Sequence, residues 1–224
     1  MNAPVEVVRN ARARRAKLSV DPASGRVRLT LPPRAPVKPA LRWAEGQQAW
    51  IAAQQARLPR PRPFVPGGTV PLGDSLLTID WSETGPRRVE RHGDILRCGG
   101  PLDGLARRIE TWLKREALRV LSAETAEFAG RAGVGVTRVA IGDPRSRWGS
   151  CTSTGAIRYS WRLILAPDYV RRATVAHEVA HRVHMNHGPD FHALVERLDE
   201  SDPDRSRAWL RANGAALHWI GRVS

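Results

Sequence analysis

The sequence predicts an α+β fold in which a strand-rich N-terminal subdomain precedes a mostly helical C-terminal domain. In the N-terminal part, residues 26–31 (RVRLTL) alternate apolar and polar side chains, as a half-buried strand requires. Beyond Gly100 the apolar period becomes helical, with a stripe formed by Leu105, Ile109, Trp112, Leu113, Leu118, Leu121 and Phe128. This change of period predicts two parts, residues 1–100 and residues 101–224.

The remaining N-terminal segments fit the same description. Residues 37–58 carry apolar side chains at roughly helical spacing and predict one helix, although Gly46 weakens its middle. Residues 59–68 (PRPRPFVPGG) are rich in proline and glycine and predict a stiff connector. The runs LLTIDW and DILRC, separated by turn signals, then predict a small meander or a pair of hairpins.

The C-terminal half predicts helices separated by two strands. A helix over residues 101–131 should end near Gly130 and Gly133, and Pro167 suits the first turn of the second helix. Asn186 and Gly188 tolerate a left-handed backbone and should stop that second helix. The predicted strands are 137–141 and 156–165, and the later helices are 167 to about 184, 189 to about 199 and about 205–212.

Composition excludes several protein classes. No apolar run approaches the roughly 20 residues that a membrane-spanning helix needs. The two cysteines, Cys98 and Cys151, are far apart and predict neither a disulfide framework nor a cysteine-rich zinc site. Arginines occupy the stretch where a signal peptide would be apolar, so we expect a cytoplasmic protein without membrane association.

The charge points weakly towards nucleic acid. The formal net charge is +14, and the basic side chains are nearly all arginine, spread along the whole chain. Such charge predicts weak, non-specific attraction to nucleic acids rather than a particular fold or chemistry. Composition alone therefore does not decide whether nucleic acid is a partner.

The segment His177-Glu178-Val179-Ala180-His181 has the H-E-x-x-H pattern. Residues four apart share one face of a helix, so both imidazoles reach one ion at about 2.0–2.1 Å, the usual zinc–nitrogen distance. Glu178 lies off that line and can take a proton from water beside the ion. The pattern predicts a metal site with Glu178 as its general base.

A catalytic zinc ion needs three protein ligands and an open position. His187 follows His181 after a turn-prone Asn186, so it is the expected third ligand. His184 is a rival, but a straight helix puts it about 10.5 Å along the axis from His177. His192 and Glu196 of the following helix are weaker alternatives, and cobalt, nickel or iron also suit imidazole ligands.

These residues resemble the YgjP-like metallopeptidase family. The resemblance rests on Arg147-Trp148-Gly149-Ser150-Cys151, on IRYSWRL from Ile157, and on the H-E-x-x-H helix with Asn186-His187 and Phe191. It covers roughly residues 103–215 with specific motifs and extends more loosely to the N-terminal part. SprT-like and WLM zinc proteases are more distantly similar.

The resemblance implies a zincin-like peptidase domain whose zinc ligands are His177, His181 and His187. It also implies that an extended peptide or protein substrate pairs with the strand near residues 157–161. The chain departs from the family in having His192 where tryptophan is frequent after phenylalanine, which changes the wall behind the metal. Metzincins have glycine where His184 stands, so the chain is not assigned to that class.

Three side chains are candidates for stabilising the oxyanion: Arg147, Tyr159 and His184. Trp148 and Trp161 are expected to be core aromatic residues, and Cys151 a small buried residue rather than a ligand or redox switch. Natural substrate, cleavage preference and oligomeric state do not follow from the sequence.

Two other functions stay open at this point. A DNA-associated protease of the SprT-like type would use the positive charge, and DNA-stimulated proteolysis would distinguish it. A non-enzymatic, basic nucleic-acid-binding module would carry a structural metal, with His184 or His192 closing a four-ligand shell. An open, three-ligand site would favour the peptidase.

Overall fold

The structure is a computed structural model that describes residues 4–199 and 202–223. Its contacts divide the chain into two units, with the division between Arg60 and Pro61. The division comes well before Gly100, where the change of period placed it. The reason lies in the core of the second unit, described below.

The first unit combines a small mixed sheet with two helices. In the sheet the central strand β3 pairs in parallel with β1 and antiparallel with β2. The predicted alternation in β3 is confirmed, because Val27, Leu29 and Leu31 are buried while Arg28 is exposed. The elements are β1 (Val5–Arg9), β2 (Lys17–Val20), β3 (Val27–Leu31), α1 (Val37–Glu45) and α2 (Gln48–Ala56).

The single helix predicted over residues 37–58 is interrupted. Helix α1 ends at Glu45, and Gln47 adopts φ −98° and ψ 20°, outside the helical region, before α2 begins. Glycine at position 46 has no side chain to restrict the backbone, so a helix is weakest there. The break turns the chain between Trp43 of α1 and Trp50 of α2.

The second unit begins with a four-stranded sheet in the order β4-β5-β7-β6. Strands β4 and β5 form one antiparallel hairpin, β6 and β7 form another, and the inner strands β5 and β7 run parallel. The prediction of paired hairpins is confirmed, and the alternative of a meander is wrong. The strands are β4 (Thr69–Leu72), β5 (Ser75–Ser82), β6 (Glu90–His92) and β7 (Ile95–Gly99).

This sheet shares its core with the helices that follow. Leu77, Ile79 and Leu96 belong to the same buried cluster as Leu105 and Ile109 of helix α3 (Leu105–Ala132). A small sheet cannot bury its apolar face alone and needs another layer to cover it. The change from strand to helix at Gly100 is therefore a change of layer within one core and does not separate two domains.

Helix α3 confirms most of the predicted stripe. Leu105, Ile109, Leu113, Leu121 and Phe128 are buried, whereas Leu118 is 40 % exposed. A single 3-10 turn precedes the helix, which ends where Gly133 adopts φ 66° in the left-handed region. The predicted stop is thus confirmed.

The remaining strands form a three-stranded sheet in the order β8-β10-β9. Its strands are β8 (Arg138–Gly142), β9 (Gly149–Cys151) and β10 (Ala156–Ser160). The strand predicted over residues 156–165 ends early, because Ser160 caps a 3-10 segment, Trp161–Leu165, by accepting a hydrogen bond from the Arg162 backbone. All five residues of that segment are buried.

Three helices complete the second unit: α4 (Asp168–Ala180), α5 (Pro189–Leu198) and α6 (Pro203–Leu217). Helix α4 ends four residues before the predicted His184, and α6 is longer than the predicted 205–212. Within the described residues, no helix has both the length and the apolar character that crossing a membrane requires.

A buried ion pair joins helices α3 and α4. The Arg171 guanidinium donates hydrogen bonds of 2.8 to 3.1 Å to the Glu124 carboxylate, and both side chains are less than 10 % exposed. Beside this pair, Arg172 binds Glu127, which lies three residues after Glu124 on α3, but both of these side chains are about one-third exposed. The two pairs connect the same helices at different depths.

The depth of each pair predicts its effect on stability. We expect Glu124→Gln to lower the free energy of unfolding by about 3 kcal/mol, since Arg171 stays buried without its full countercharge. Glu127→Gln is the matched control and should cost less than about 1 kcal/mol, because water screens an exposed pair. Urea unfolding of both variants measures the difference. Equal losses would show that burial of the pair does not matter.

Candidate metal centre

The end of helix α4 carries the H-E-x-x-H residues. His177 and Glu178 lie in its last turn, and His181 immediately follows Ala180 as the capping residue. His181 keeps helical angles (φ −64°, ψ −14°), so it still lies one turn beyond His177 on the same face. The two imidazole rings have centroids 5.0 Å apart.

The chain reverses through a tight turn after Ala180. The Arg182 and Val183 backbones donate to the carbonyls of Val179 and Ala180, three residues back, as at the end of many helices. Asn186 and Gly188 were expected to stop the helix in left-handed conformations, and this is wrong. Gly188 has φ −82° and an extended backbone, and it caps helix α5 instead.

The reversal brings His187 back to the other two histidines. The His187 ring centroid is 5.1 Å from that of His177 and 4.7 Å from that of His181. The Nε2 atoms of His187 and His177 are 3.2 Å apart, and one ligand atom from each of the three residues lies within 4.8 Å of the others. Two nitrogens bound to a tetrahedral zinc ion are about 3.4 Å apart, so the separation fits.

Phe191 of helix α5 supports all three imidazoles. Its ring is buried, and its centroid is 4.9, 4.6 and 4.7 Å from those of His177, His181 and His187. Reasoning from the sequence recognised Phe191 only as part of a family motif and missed this contact. The apolar ring at the base of the cluster excludes water and limits where each imidazole can turn.

Burial also favours the neutral form of His177 and His181. It lowers the pKa of His177 to about 4, with the neighbouring His181 and His187 acting in the same direction, and it lowers the pKa of His181 as well. Neutral imidazole is the form that binds a metal ion. At neutral pH His177 and His181 therefore offer lone pairs without first losing protons.

His184 acts through its backbone. The His181 ring lies with Nδ1 3.1 Å from the His184 carbonyl oxygen, which can only accept, so Nδ1–H donates. This bond leaves Nε2 of His181 with its lone pair available, the arrangement that orients many metal-binding histidines. Among the described residues, the cluster comprises His177, His181 and His187, and the rivals His184, His192 and Glu196 are not part of it.

The Glu178 carboxylate lies beside strand β9. A Cβ atom built on Gly149 would be 2.5 Å from Oε1 of Glu178, so only glycine leaves room for this side chain. Burial raises the pKa of Glu178 to about 7, although the guanidinium of Arg147 acts in the opposite direction. A carboxylate with this proton affinity exchanges protons readily near neutral pH.

Two clefts share His177 and Glu178 as a common wall. One, of about 270 Å³, is also lined by Arg147, Trp148, Phe191 and His192. The other, of about 360 Å³, runs past His181 and His187 and the three residues of strand β9, Gly149–Cys151. The histidine cluster therefore borders a cleft on each of two sides.

The neighbouring sheet corrects the predicted substrate strand. Residues 157–160 belong to β10, whose two edges pair with β8 and β9 and offer no unpaired backbone to a peptide. Strand β9 lies at the edge of this sheet and lines the cleft beside Glu178. Of the two edge strands, β8 and β9, it is β9 that lines this cleft, so a strand added at the cleft would pair with β9.

The three oxyanion candidates lie in different surroundings. Arg147 is exposed and lines the cleft with His177 and Glu178. Tyr159 is fully buried, with its hydroxyl 3.0 Å from Thr125 Oγ1, and this burial raises its pKa. Neither Tyr159 nor the His184 side chain lines either cleft, whereas Arg147 lines the first one.

The other residues of the Arg147–Cys151 motif have mixed placements. Trp161 is buried in the core as expected, whereas Trp148 both packs against the core and lines the first cleft. Cys151 is half-buried at the second cleft rather than fully buried, and it is not part of the histidine cluster. Burial raises its thiol pKa, which disfavours a reactive thiolate.

A protein-family model, the YgjP-like metallopeptidase domain, matches residues 14–213 of the 224-residue chain. The chain belongs to the YgjP-like metallopeptidase family. The match includes most of the N-terminal unit, where the sequence motifs suggested only a loose likeness. No curated protein and no solved structure matches this YgjP-like chain significantly.

The geometry predicts which histidines contribute to zinc affinity. We expect the chain to bind about one zinc ion, and His187→Ala to weaken that binding at least about tenfold, because two imidazoles remain. His184→Ala keeps the carbonyl that orients His181, and His192→Ala leaves the cluster intact, so both should bind zinc normally. Competition with a chromophoric chelator measures all four affinities. Zinc loss in either control, equal to that in His187→Ala, would contradict this ligand set.

Proposed function

We propose that this chain is a zinc peptidase of the zincin type, with His177, His181 and His187 as ligands and Glu178 as general base. The observation that carries the proposal is the convergence of three imidazoles beside a buried carboxylate in an open cleft. Membership of a metallopeptidase family supports a metal-dependent hydrolase with peptide or protein substrates.

The donor set fits a catalytic ion better than a structural one. A structural zinc site is closed by four protein ligands, whereas a catalytic site keeps one position open. Only three His, Cys, Asp or Glu residues form the cluster in the described part of the chain. The non-enzymatic module with a four-ligand metal therefore loses its main support.

The residues around the cluster have separate roles in the proposed hydrolysis. A bound zinc ion would supply a Lewis acid that polarises the scissile carbonyl and acidifies water beside it. Glu178 accepts the proton of that water and later delivers it to the leaving amine. The Arg147 guanidinium provides positive charge on the same cleft wall for the oxyanion.

Strand β9 would hold the substrate. Its free edge can pair with an extended peptide backbone, which places a scissile bond beside Glu178 whatever the side chains are. Such pairing predicts specificity from side-chain contacts in the two clefts. The first cleft is lined mostly by apolar and basic groups, among them Val195, Leu210 and Arg207.

The general base can be tested without disturbing the metal. Glu178→Gln should reduce hydrolysis of a quenched-fluorescent peptide library by at least about 100-fold, because the amide cannot accept the proton. Zinc content should stay unchanged, since Glu178 is not a proposed ligand. Removal of zinc by a chelator should abolish activity in the parent chain, and zinc should restore it. A Glu178→Gln variant that still cleaves would remove Glu178 from this role.

The contact between Gly149 and Glu178 gives a second test of the same base. A methyl group at position 149 must displace the carboxylate, so Gly149→Ala should lower kcat at least about tenfold while zinc stays bound. Gly135→Ala is the matched control, because a Cβ atom there meets nothing within 4 Å. Comparable kcat values in the two variants would show that the position of Glu178 is unimportant.

Two further predictions concern stimulation by DNA and location in the cell. A DNA-associated protease would hydrolyse its substrate faster when DNA is added, and the same peptide assay with and without DNA tests this. The cytoplasmic location stays a prediction that imaging of a tagged chain would test.

A further inference from the structure

The net positive charge is concentrated in the first unit. Residues 4–60 contain 12 Lys and Arg residues but only three Asp and Glu residues, a net charge of +9 out of +14 for the whole chain. Basic residues are spread widely, so this imbalance comes mainly from the scarcity of acids. The acids present are partly engaged: Glu6 pairs with Arg28, and Asp21 accepts hydrogen bonds within its own turn.

A cleft of about 400 Å³ lies within this unit, where strand β2 meets the two helices. Lys17 is the first residue of β2 and Arg15 lies two residues before it; Trp43 comes from α1 and Trp50 from α2, with Gln47 between the helices. Among the residues that the structure describes, no acidic side chain lines it. We name this set the basic-aromatic cleft.

Both tryptophans in the basic-aromatic cleft are unusually exposed. Trp43 is 46 % exposed and Trp50 is 40 % exposed, although each indole would gain free energy by burial. They are seven residues apart, and the break at Gly46 and Gln47 lets both line one cleft. Two large π faces beside cationic side chains are the features that bind unpaired bases and their phosphates.

We infer that the basic-aromatic cleft binds single-stranded nucleic acid, with Trp43 and Trp50 stacking on bases and Arg15 and Lys17 contacting phosphates. A duplex hides its base faces and would use the positive charge alone. An acidic peptide offers charge but no base faces for the indoles. The inference does not depend on the proposed peptidase activity, because none of these residues lines the metal clefts.

Fluorescence anisotropy of a labelled oligo(dT) with the full chain tests the stacking. The double variant Trp43→Ala/Trp50→Ala should raise Kd at least about tenfold, since each stacked base contributes strongly. Trp43→Phe/Trp50→Phe keeps an aromatic face at both positions and should recover most of the affinity. An oligo(rU) of equal length should bind through the same residues. Duplex DNA and polyglutamate should bind more weakly, and their Kd should be the same for the parent chain and the tryptophan variants.

A charge-matched pair tests the phosphate contacts. Arg15→Gln/Lys17→Gln removes two charges from the cleft and should flatten the slope of log affinity against log salt by about 1.4. Arg34→Gln/Lys38→Gln removes the same charge from exposed positions of the same unit, outside the cleft, and should change the slope much less. Circular dichroism verifies folding, and peptide hydrolysis should be unchanged in every variant.

Two results would overturn the inference. One is an unchanged oligo(dT) affinity in a folded Trp43→Ala/Trp50→Ala chain. The other is equal binding of oligo(dT), duplex DNA and polyglutamate, with equal losses in both charge variants, which would show general attraction of polyanions.

Discussion

The cluster of His177, His181 and His187 depends on the reversal of the chain after Ala180. If helix α4 continued to His184, His187 would be carried away from His177 along the helix axis. The turn stops the helix, and it also delivers the His184 carbonyl to Nδ1 of His181. One short segment therefore ends the helix, orients the His181 ring and returns His187 to the cluster.

The site combines an apolar base with tightly placed polar groups. Phe191 contacts all three imidazoles, and burial lowers the pKa of His177 and His181. Glu178 lies against the bare Cα of Gly149, so strand β9 and helix α4 approach more closely than any side chain at position 149 would allow. The same strand presents its free edge to the cleft. Close approach at one glycine thus links the carboxylate to the edge where a peptide can pair.

Local patterns in the sequence predicted the local features of this structure. The alternation in β3, the stripe of α3 and its end at Gly133 follow from short-range preferences, and the structure has all of them except for the exposed Leu118 in the stripe. The spacing of His177, His181 and His187 likewise predicted a cluster, because helix geometry fixes the first pair and a turn returns the third residue. These inferences needed no knowledge of distant contacts.

The features that were not predicted depend on contacts between distant segments. Whether Gly100 ends a domain depends on what covers the sheet, and the covering helix α3 comes later in the chain. Which edge of a strand is free depends on its neighbours, so the sequence does not reveal that the strand near residues 157–161 is paired on both edges. The burial of Tyr159 and the role of the His184 carbonyl also could not be inferred from motif spacing. A motif gives the identity of side chains but not the position of the backbone.

Arginine shows most clearly why composition is a poor guide to function in this chain. In the second unit Arg162 binds Asp143 and backbone carbonyls near the end of α6, and Arg171 and Arg172 pair with carboxylates of α3. These guanidinium groups hold the peptidase fold together, and their charge is compensated. In residues 4–60 acids are too few for such pairing, so most of the charge there stays available to a ligand. Identical side chains thus stabilise one unit and give the other its attraction for anions.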